Sequence, residues 1–73
     1  MSENSQIFQE LNRIVVQDQL YLSPELSRED LAHIVHLNNA RFARMIRACT
    51  GTNFNGYINE LRVNYAIKLL KTH

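Results

Sequence analysis

Two short apolar stripes at helical spacing, separated by a three-residue break, constrain this chain more than any other feature. The first stripe is Leu31, Ile34 and Val35. The second stripe follows the i, i+3, i+4, i+7 spacing of one helix face and consists of Phe42, Met45, Ile46 and Cys49. The segment 36–38 interrupts the pattern, and Asn38 is a favourable N-cap for the helix that follows. The stripes therefore predict two short helices joined by a tight turn.

The residues around this turn match the core spacing of a DNA-binding helix-turn-helix. That spacing is carried by Leu31, Ala32, Val35, Leu37, Phe42 and Met45. The small Ala32 permits the close approach of two helices that cross steeply, and Leu37 is expected to fill the corner from the turn. His36 occupies the turn position where many such motifs have glycine. Histidine tolerates a positive φ better than most residues, so we expect that conformation at His36.

The second of these helices carries a small, positive face opposite its apolar stripe. At about 100° per residue, the outward positions are Ala40, Ala43, Arg44 and Arg47, with Arg41 at the edge. No acidic residue lies between positions 31 and 56. Arginine can donate two parallel hydrogen bonds to a phosphate or to a guanine edge. The alternative for the arginines alone is an ordinary solvated helix face.

Length and composition fit one small globular domain. The chain has 73 residues, of which 45% are hydrophobic and one is cysteine. No apolar run approaches the roughly 18 residues needed to cross a membrane, and the polar start of the chain does not resemble a signal peptide. We therefore expect a cytoplasmic protein with no membrane contact.

Charge is distributed unevenly along the chain. Residues 1–30 contain two basic and six acidic residues, for a net charge of 2 − 6 = −4. Residues 31–73 contain six basic residues and one acid, for a net charge of 6 − 1 = +5. Such an asymmetry suits a protein that presents one basic face to a nucleic acid.

The remaining pattern predicts an all-α fold, a small helical bundle with a long C-terminal helix. We place helix 1 at about 5–19, helix 2 at about 28–35, the third helix at about 39–49 and the last at about 54–71. Ser27 and Asp30 have the spacing of a capping box before helix 2. Gly51 is expected to end the third helix in the left-handed conformation, and Thr52 or Asn53 is expected to cap the last helix.

The last helix is apolar on two sides, so both sides need cover. One side contains Phe54, Tyr57, Ile58, Leu61 and Tyr65, and it can pack on the other three helices. The opposite side contains Val63, Ala66, Ile67 and Leu70, and nothing else in this chain remains to cover it. We therefore expect a partner there, either another subdomain or a second copy of the chain.

Several segments together resemble one family of regulators. They are 31–32, 38–46, 51–54, 57–59 and 62–70, and the pattern G-x-x-F-x-x-Y-I-N-x-x-R-x-x-x-A-x-x-L-L from Gly51 to Leu70 is the most specific. This chain resembles the AraC/XylS family of bacterial transcriptional regulators. The resemblance implies a first helix-turn-helix subdomain followed by the linker helix, with the second subdomain absent. We expect the chain to be part of a longer regulator.

The resemblance also assigns roles on the third helix, which would be the major-groove recognition helix. Its base-reading positions fall on Ala40, Ala43 and Arg44, and phosphate contacts fall on Asn39, Arg41 and Arg47. The implied function is sequence-specific binding of double-stranded DNA in transcriptional control. The alternative is a helical protein-interaction or dimerisation module that does not bind DNA, in which the last helix is the functional surface.

No residue pattern indicates an enzyme, and we expect no cofactor. His33 and His36 have an i, i+3 spacing that can hold a metal ion only with a third ligand, so we expect no metal site. Cys49 lies in the apolar stripe and is expected to be a core residue.

Overall fold

A computed structural model describes residues 3–71 of the chain, and every regular element within that range is helical. The helices are α1 (Glu3–Gln17), α2 (Arg28–Ile34), α3 (Asn39–Thr50) and α4 (Phe54–Lys71), with a single 3₁₀ turn at Leu20–Leu22. The predicted all-α bundle with a helix-turn-helix and a long C-terminal helix is confirmed. No helix in this range combines the length and the apolar character needed to cross a membrane.

One core joins all of these elements. Its members are Leu11, Val15, Tyr21, Leu31, Ala32, Phe42, Met45, Ile46, Tyr57 and Ile58. Aromatic pairs reinforce three of the junctions, since the ring centroids of Phe8 and Tyr57 lie 5.5 Å apart, those of Tyr21 and Tyr65 lie 6.0 Å apart, and those of Phe42 and Phe54 lie 6.3 Å apart. The predicted core face of α4 is therefore confirmed.

Two expectations about the first half of the chain need correction. Ile34 belongs to the apolar stripe predicted for helix 2, but the residue is 39% exposed. α2 has only seven residues, and it buries Leu31 and Ala32 instead. Helix 1 was expected to end near residue 19, but α1 ends at Gln17 because Gln19 adopts a left-handed backbone conformation with φ 53°.

The helix ends are fixed by the predicted caps. Ser27 Oγ accepts a hydrogen bond from the Asp30 backbone N–H at 3.2 Å, and Asp30 Oδ2 accepts one from the Ser27 N–H at 3.1 Å, which completes the capping box. Asn38 Oδ1 accepts from the Arg41 N–H at 2.8 Å. Of the two candidate caps of α4, Thr52 and Asn53, the cap is Asn53, whose Oδ1 accepts a hydrogen bond from the backbone N–H of residue 56 at 2.8 Å.

The turn between α2 and α3 is tight and depends on one residue in the left-handed region. α2 ends at Ile34 and α3 begins at Asn39, so the two are separate helices. His36 has φ 60°, as its position in the turn predicted. The Leu37 N–H donates to the Ala32 carbonyl oxygen at 3.0 Å, which closes the turn and brings Leu37 against the core. Gly51 has φ 79° and ends α3 in the expected conformation.

We expect His36→Gly to raise the free energy of unfolding by about 0.5–1 kcal/mol. Relief of the left-handed conformation is worth about 1–2 kcal/mol, and the greater freedom of glycine in the unfolded chain offsets roughly 0.5–1 kcal/mol of it. Urea unfolding of the two proteins measures the difference. His33→Gly is the matched control, because residue 33 lies within α2 and glycine there should cost about 1 kcal/mol. A loss of stability in His36→Gly would mean that the imidazole itself stabilises the turn.

Candidate nucleic-acid interface

α3 is held to the body of the protein along one side only. Phe42, Met45 and Ile46 are completely buried, and Cys49 is half-buried beside them, with its Sγ 3.9 Å from the Asn4 carbonyl oxygen. The prediction that Cys49 is a core residue is confirmed to this extent: the side chain is partly buried and packs against the core. These contacts fix the rotation of α3 about its axis, and therefore fix which residues face solvent.

The opposite side of α3 is exposed throughout. Its members are Asn39, Ala40, Arg41, Ala43, Arg44, Arg47 and Ala48, and we call this surface the α3 face. All six positions that were assigned to DNA contacts lie on it. Arg44 points away from the protein body, as a base-reading residue must. Their contacts with DNA remain predictions.

The guanidinium groups of the α3 face are available for a ligand. Arg41, Arg44 and Arg47 form no side-chain hydrogen bond or ion pair with any residue that the structure describes. By contrast, Arg13 on α1 forms an ion pair with Glu10, and Nη2 of Arg28 lies 3.8 Å from Oε1 of Glu29. At the start of the face, the backbone N–H of Arg41 donates to Asn38 Oδ1, so this cap does not use the Arg41 guanidinium group. The α3 face is therefore a positive surface whose charge no neighbouring carboxylate neutralises.

The small residues of this face shape it for close approach. Ala40 and Ala43 are exposed on the outward side of α3 in the turn that precedes Arg44, and neither side chain extends beyond a methyl group. An α-helix fits the major groove of B-DNA, which is about 12 Å wide, and short side chains allow the helix backbone to lie deep in it. Among the outward positions 40, 43, 44 and 47, Arg44 is therefore the first from the start of α3 that carries a long side chain.

Two contacts that position α4 over the rest of the fold were not foreseen. The Tyr57 hydroxyl donates to Asn12 Oδ1 at 2.7 Å, although Asn12 follows the polar pattern of α1. Burial raises the pKa of Tyr57 to about 12, so the hydroxyl keeps its proton at neutral pH.

The second contact comes from Arg62 of α4. Its Nε donates to the Tyr21 carbonyl oxygen, and its Nη2 donates to the Ser23 carbonyl oxygen at 3.0 Å. The guanidinium group thereby fastens the irregular segment after α1 to the middle of α4. The arginine of the family-like pattern thus has a structural role here that periodicity alone did not reveal.

The far side of α4 is uncovered in this chain. The residues Val63, Ala66, Ile67 and Leu70, which we call the α4 stripe, are all exposed. Val63 is 56% exposed and Leu70 is 78% exposed. The prediction that no other part of the chain covers this side is confirmed for the described residues, and the partner that would cover it stays a prediction.

A metal site does not form from the side chains that the structure describes, since no three His, Cys, Asp or Glu residues come together in a suitable group. No family model, curated protein or solved structure matches this chain. Within the described residues, the α3 face is an exposed basic surface and the α4 stripe is an exposed apolar one.

Proposed function

We propose that this chain binds double-stranded DNA through the α3 face and acts in bacterial transcriptional regulation in the cytoplasm. The resemblance to the AraC/XylS family suggests the same role for it, as the first helix-turn-helix subdomain and the linker helix of a DNA-binding domain. The observation that carries the proposal is the set of three exposed, unpaired guanidinium groups on a helix anchored from behind by Phe42, Met45 and Ile46.

Arg44 is the residue that reads a base in this proposal. Its position in the middle of the outward face suits a bidentate hydrogen bond to O6 and N7 of guanine. Ala40 and Ala43 permit close approach and offer methyl groups to thymine. Asn39, Arg41 and Arg47 contact phosphates, which fix the position of the helix on the duplex without reading sequence.

Phosphate contacts supply most of the affinity, so binding depends steeply on salt. The logarithm of the binding constant falls with the logarithm of the salt concentration by about 0.9 per phosphate neutralised. One helix-turn-helix makes few contacts, and the expected dissociation constant on unselected DNA is about 10⁻⁴–10⁻⁶ M.

The experiment is a titration of labelled duplex DNA at two salt concentrations, first with a random-sequence pool and then with duplexes selected from it. Arg47→Ala should weaken binding to all duplexes and reduce the salt slope by about 1. Arg44→Ala should cost about 1–3 kcal/mol on the selected duplex and much less on the random pool. Arg13→Ala is the control, because it removes an exposed arginine of α1 that lies outside the α3 face, and it should change neither the affinity nor the salt slope.

Two outcomes would contradict the proposal. Binding that does not depend on salt would exclude phosphate contacts as its source. Equal losses in Arg13→Ala, Arg44→Ala and Arg47→Ala would show that only net charge matters and that the α3 face has no special role.

A second candidate function rests on the α4 stripe. Four exposed apolar positions on one helix favour a protein-interaction module in which the arginines only keep the surface solvated. Such a module would show no salt-dependent DNA binding, and neutralising Arg44 and Arg47 would leave its activity unchanged. The same titration therefore separates the two functions.

A further inference from the structure

The α4 stripe has the geometry of a helix-pairing seam. Its four residues follow the spacing i, i+3, i+4, i+7 and lie on the side of α4 opposite the buried Tyr57 and Ile58. Ala66 lies near the middle, where a small side chain lets a second helix approach closely. A helix that docks here would bury apolar surface without disturbing the core.

Charged residues at the two ends of the stripe restrict what can dock. Glu60 precedes the stripe and Lys71 follows it, and both are exposed. At 100° per residue they project along the same edge of α4, within about 20° of each other. Neither residue has an ion-pair partner among the described residues. One edge of the stripe therefore begins with an unpaired negative charge and ends with an unpaired positive charge.

We propose that a second copy of this chain covers the α4 stripe, with the two α4 helices antiparallel about a two-fold axis between Ala66 and Ile67. The same edge of each helix then faces its counterpart, and Glu60 of one copy lies near Lys71 of the other. Along the helix, Glu60 lies 6.5 positions before the two-fold axis and Lys71 lies 4.5 positions after it. Glu60 of one copy and Lys71 of the other are therefore offset by about 3 Å along the helix, which a lysine side chain spans. Two-fold symmetry forms this ion pair twice.

A parallel arrangement does not satisfy the same charges. Its two-fold axis runs along the helices and places the Glu60–Lys71 edges of the two copies on opposite sides of the interface, so neither ion pair can form. The antiparallel arrangement also opposes the two helix dipoles favourably. The interface is small, so the dimer is a weak one that forms and dissociates readily.

Sedimentation of the chain without DNA, from micromolar to millimolar concentration, tests the proposal. The expected result is a concentration-dependent monomer–dimer equilibrium. Glu60→Lys and Lys71→Glu should each weaken the dimer by about tenfold, since each replaces two attractive contacts with repulsive ones. The double substitution should restore it. Glu60 and Lys71 lie about 16 Å apart along one chain, so only pairing between chains explains such a restoration.

Leu70→Asp should abolish the dimer, and Ile34→Asp is the matched control, because Ile34 is an exposed apolar residue on α2. Circular dichroism confirms that each variant folds. A chain that stays monomeric throughout would overturn the proposal and leave the stripe to another subdomain or protein. A dimer that the double substitution fails to restore, or that Leu70→Asp leaves intact, would overturn it too. DNA binding is measured separately, so failure here would not count against the α3 face.

Discussion

Phe42→Ala should lower the free energy of unfolding by about 3–5 kcal/mol, as expected for a phenylalanine removed from a core. Phe42 is completely buried, and its ring lies 6.3 Å from that of Phe54. A domain of this length has a total stability of roughly 4–11 kcal/mol, at about 0.05–0.15 kcal/mol per residue. The substitution should therefore remove a large share of the stability and release α3 from the core.

Urea unfolding followed by circular dichroism measures this loss. Val16→Ala is the control, because Val16 is 42% exposed and lies on α1, outside the α4 stripe, and its loss should change the stability by only about 0.5 kcal/mol. DNA binding by Phe42→Ala should fall in proportion to the fraction unfolded. A cost below about 1 kcal/mol would show that Phe42 does not anchor α3.

Arg62→Ala should lower the free energy of unfolding by about 2–3 kcal/mol, the second-largest effect that we expect. The side chain donates to the carbonyl oxygens of Tyr21 and Ser23, and hydrogen bonds from charged groups contribute about 1.5–3 kcal/mol. Because Ser23 is exposed, water replaces part of what is lost there. Tyr21, which is buried, would lose its hydrogen bond to α4 and keep its ring contact with Tyr65.

Arg62→Lys tests the geometry of this contact. Lysine keeps the charge but lacks the planar fork that reaches two carbonyl oxygens at once, so it should recover less than half of the loss. Amide hydrogen exchange should accelerate between residues 18 and 26 in both variants. If exchange rises no more there than in Arg13→Ala, the tether is not what holds this segment.

Local signals in the sequence were sufficient to predict the helices and most of their ends. The cap formed by Asn38 and the left-handed residues His36 and Gly51 each depend on neighbours within four positions, and so does the outward direction of Arg44. Such features follow from helical periodicity and capping chemistry alone. This is why the α3 face, as a surface, could be predicted.

Contacts between distant positions could not be predicted in this way. The hydrogen bonds from Tyr57 to Asn12 and from Arg62 to Tyr21 join residues 45 and 41 positions apart, and no short-range pattern marks them. The exposure of Ile34 also depends on distant positions, because the packing of neighbouring helices decides which part of a short helix is covered. The structure is needed to find these contacts.

α4 carries both a buried face and the exposed α4 stripe on one continuous helix. Its length is therefore constrained, because an insertion or deletion would change how the two surfaces are oriented relative to each other. One residue inserted after Arg62 would turn everything beyond it by about 100° and move it by about 1.5 Å, so that Lys68 and its neighbours would face new directions. Seven inserted residues would nearly restore the orientation, but about 10 Å farther along the axis. Natural variation in this helix should therefore favour substitutions and avoid insertions and deletions.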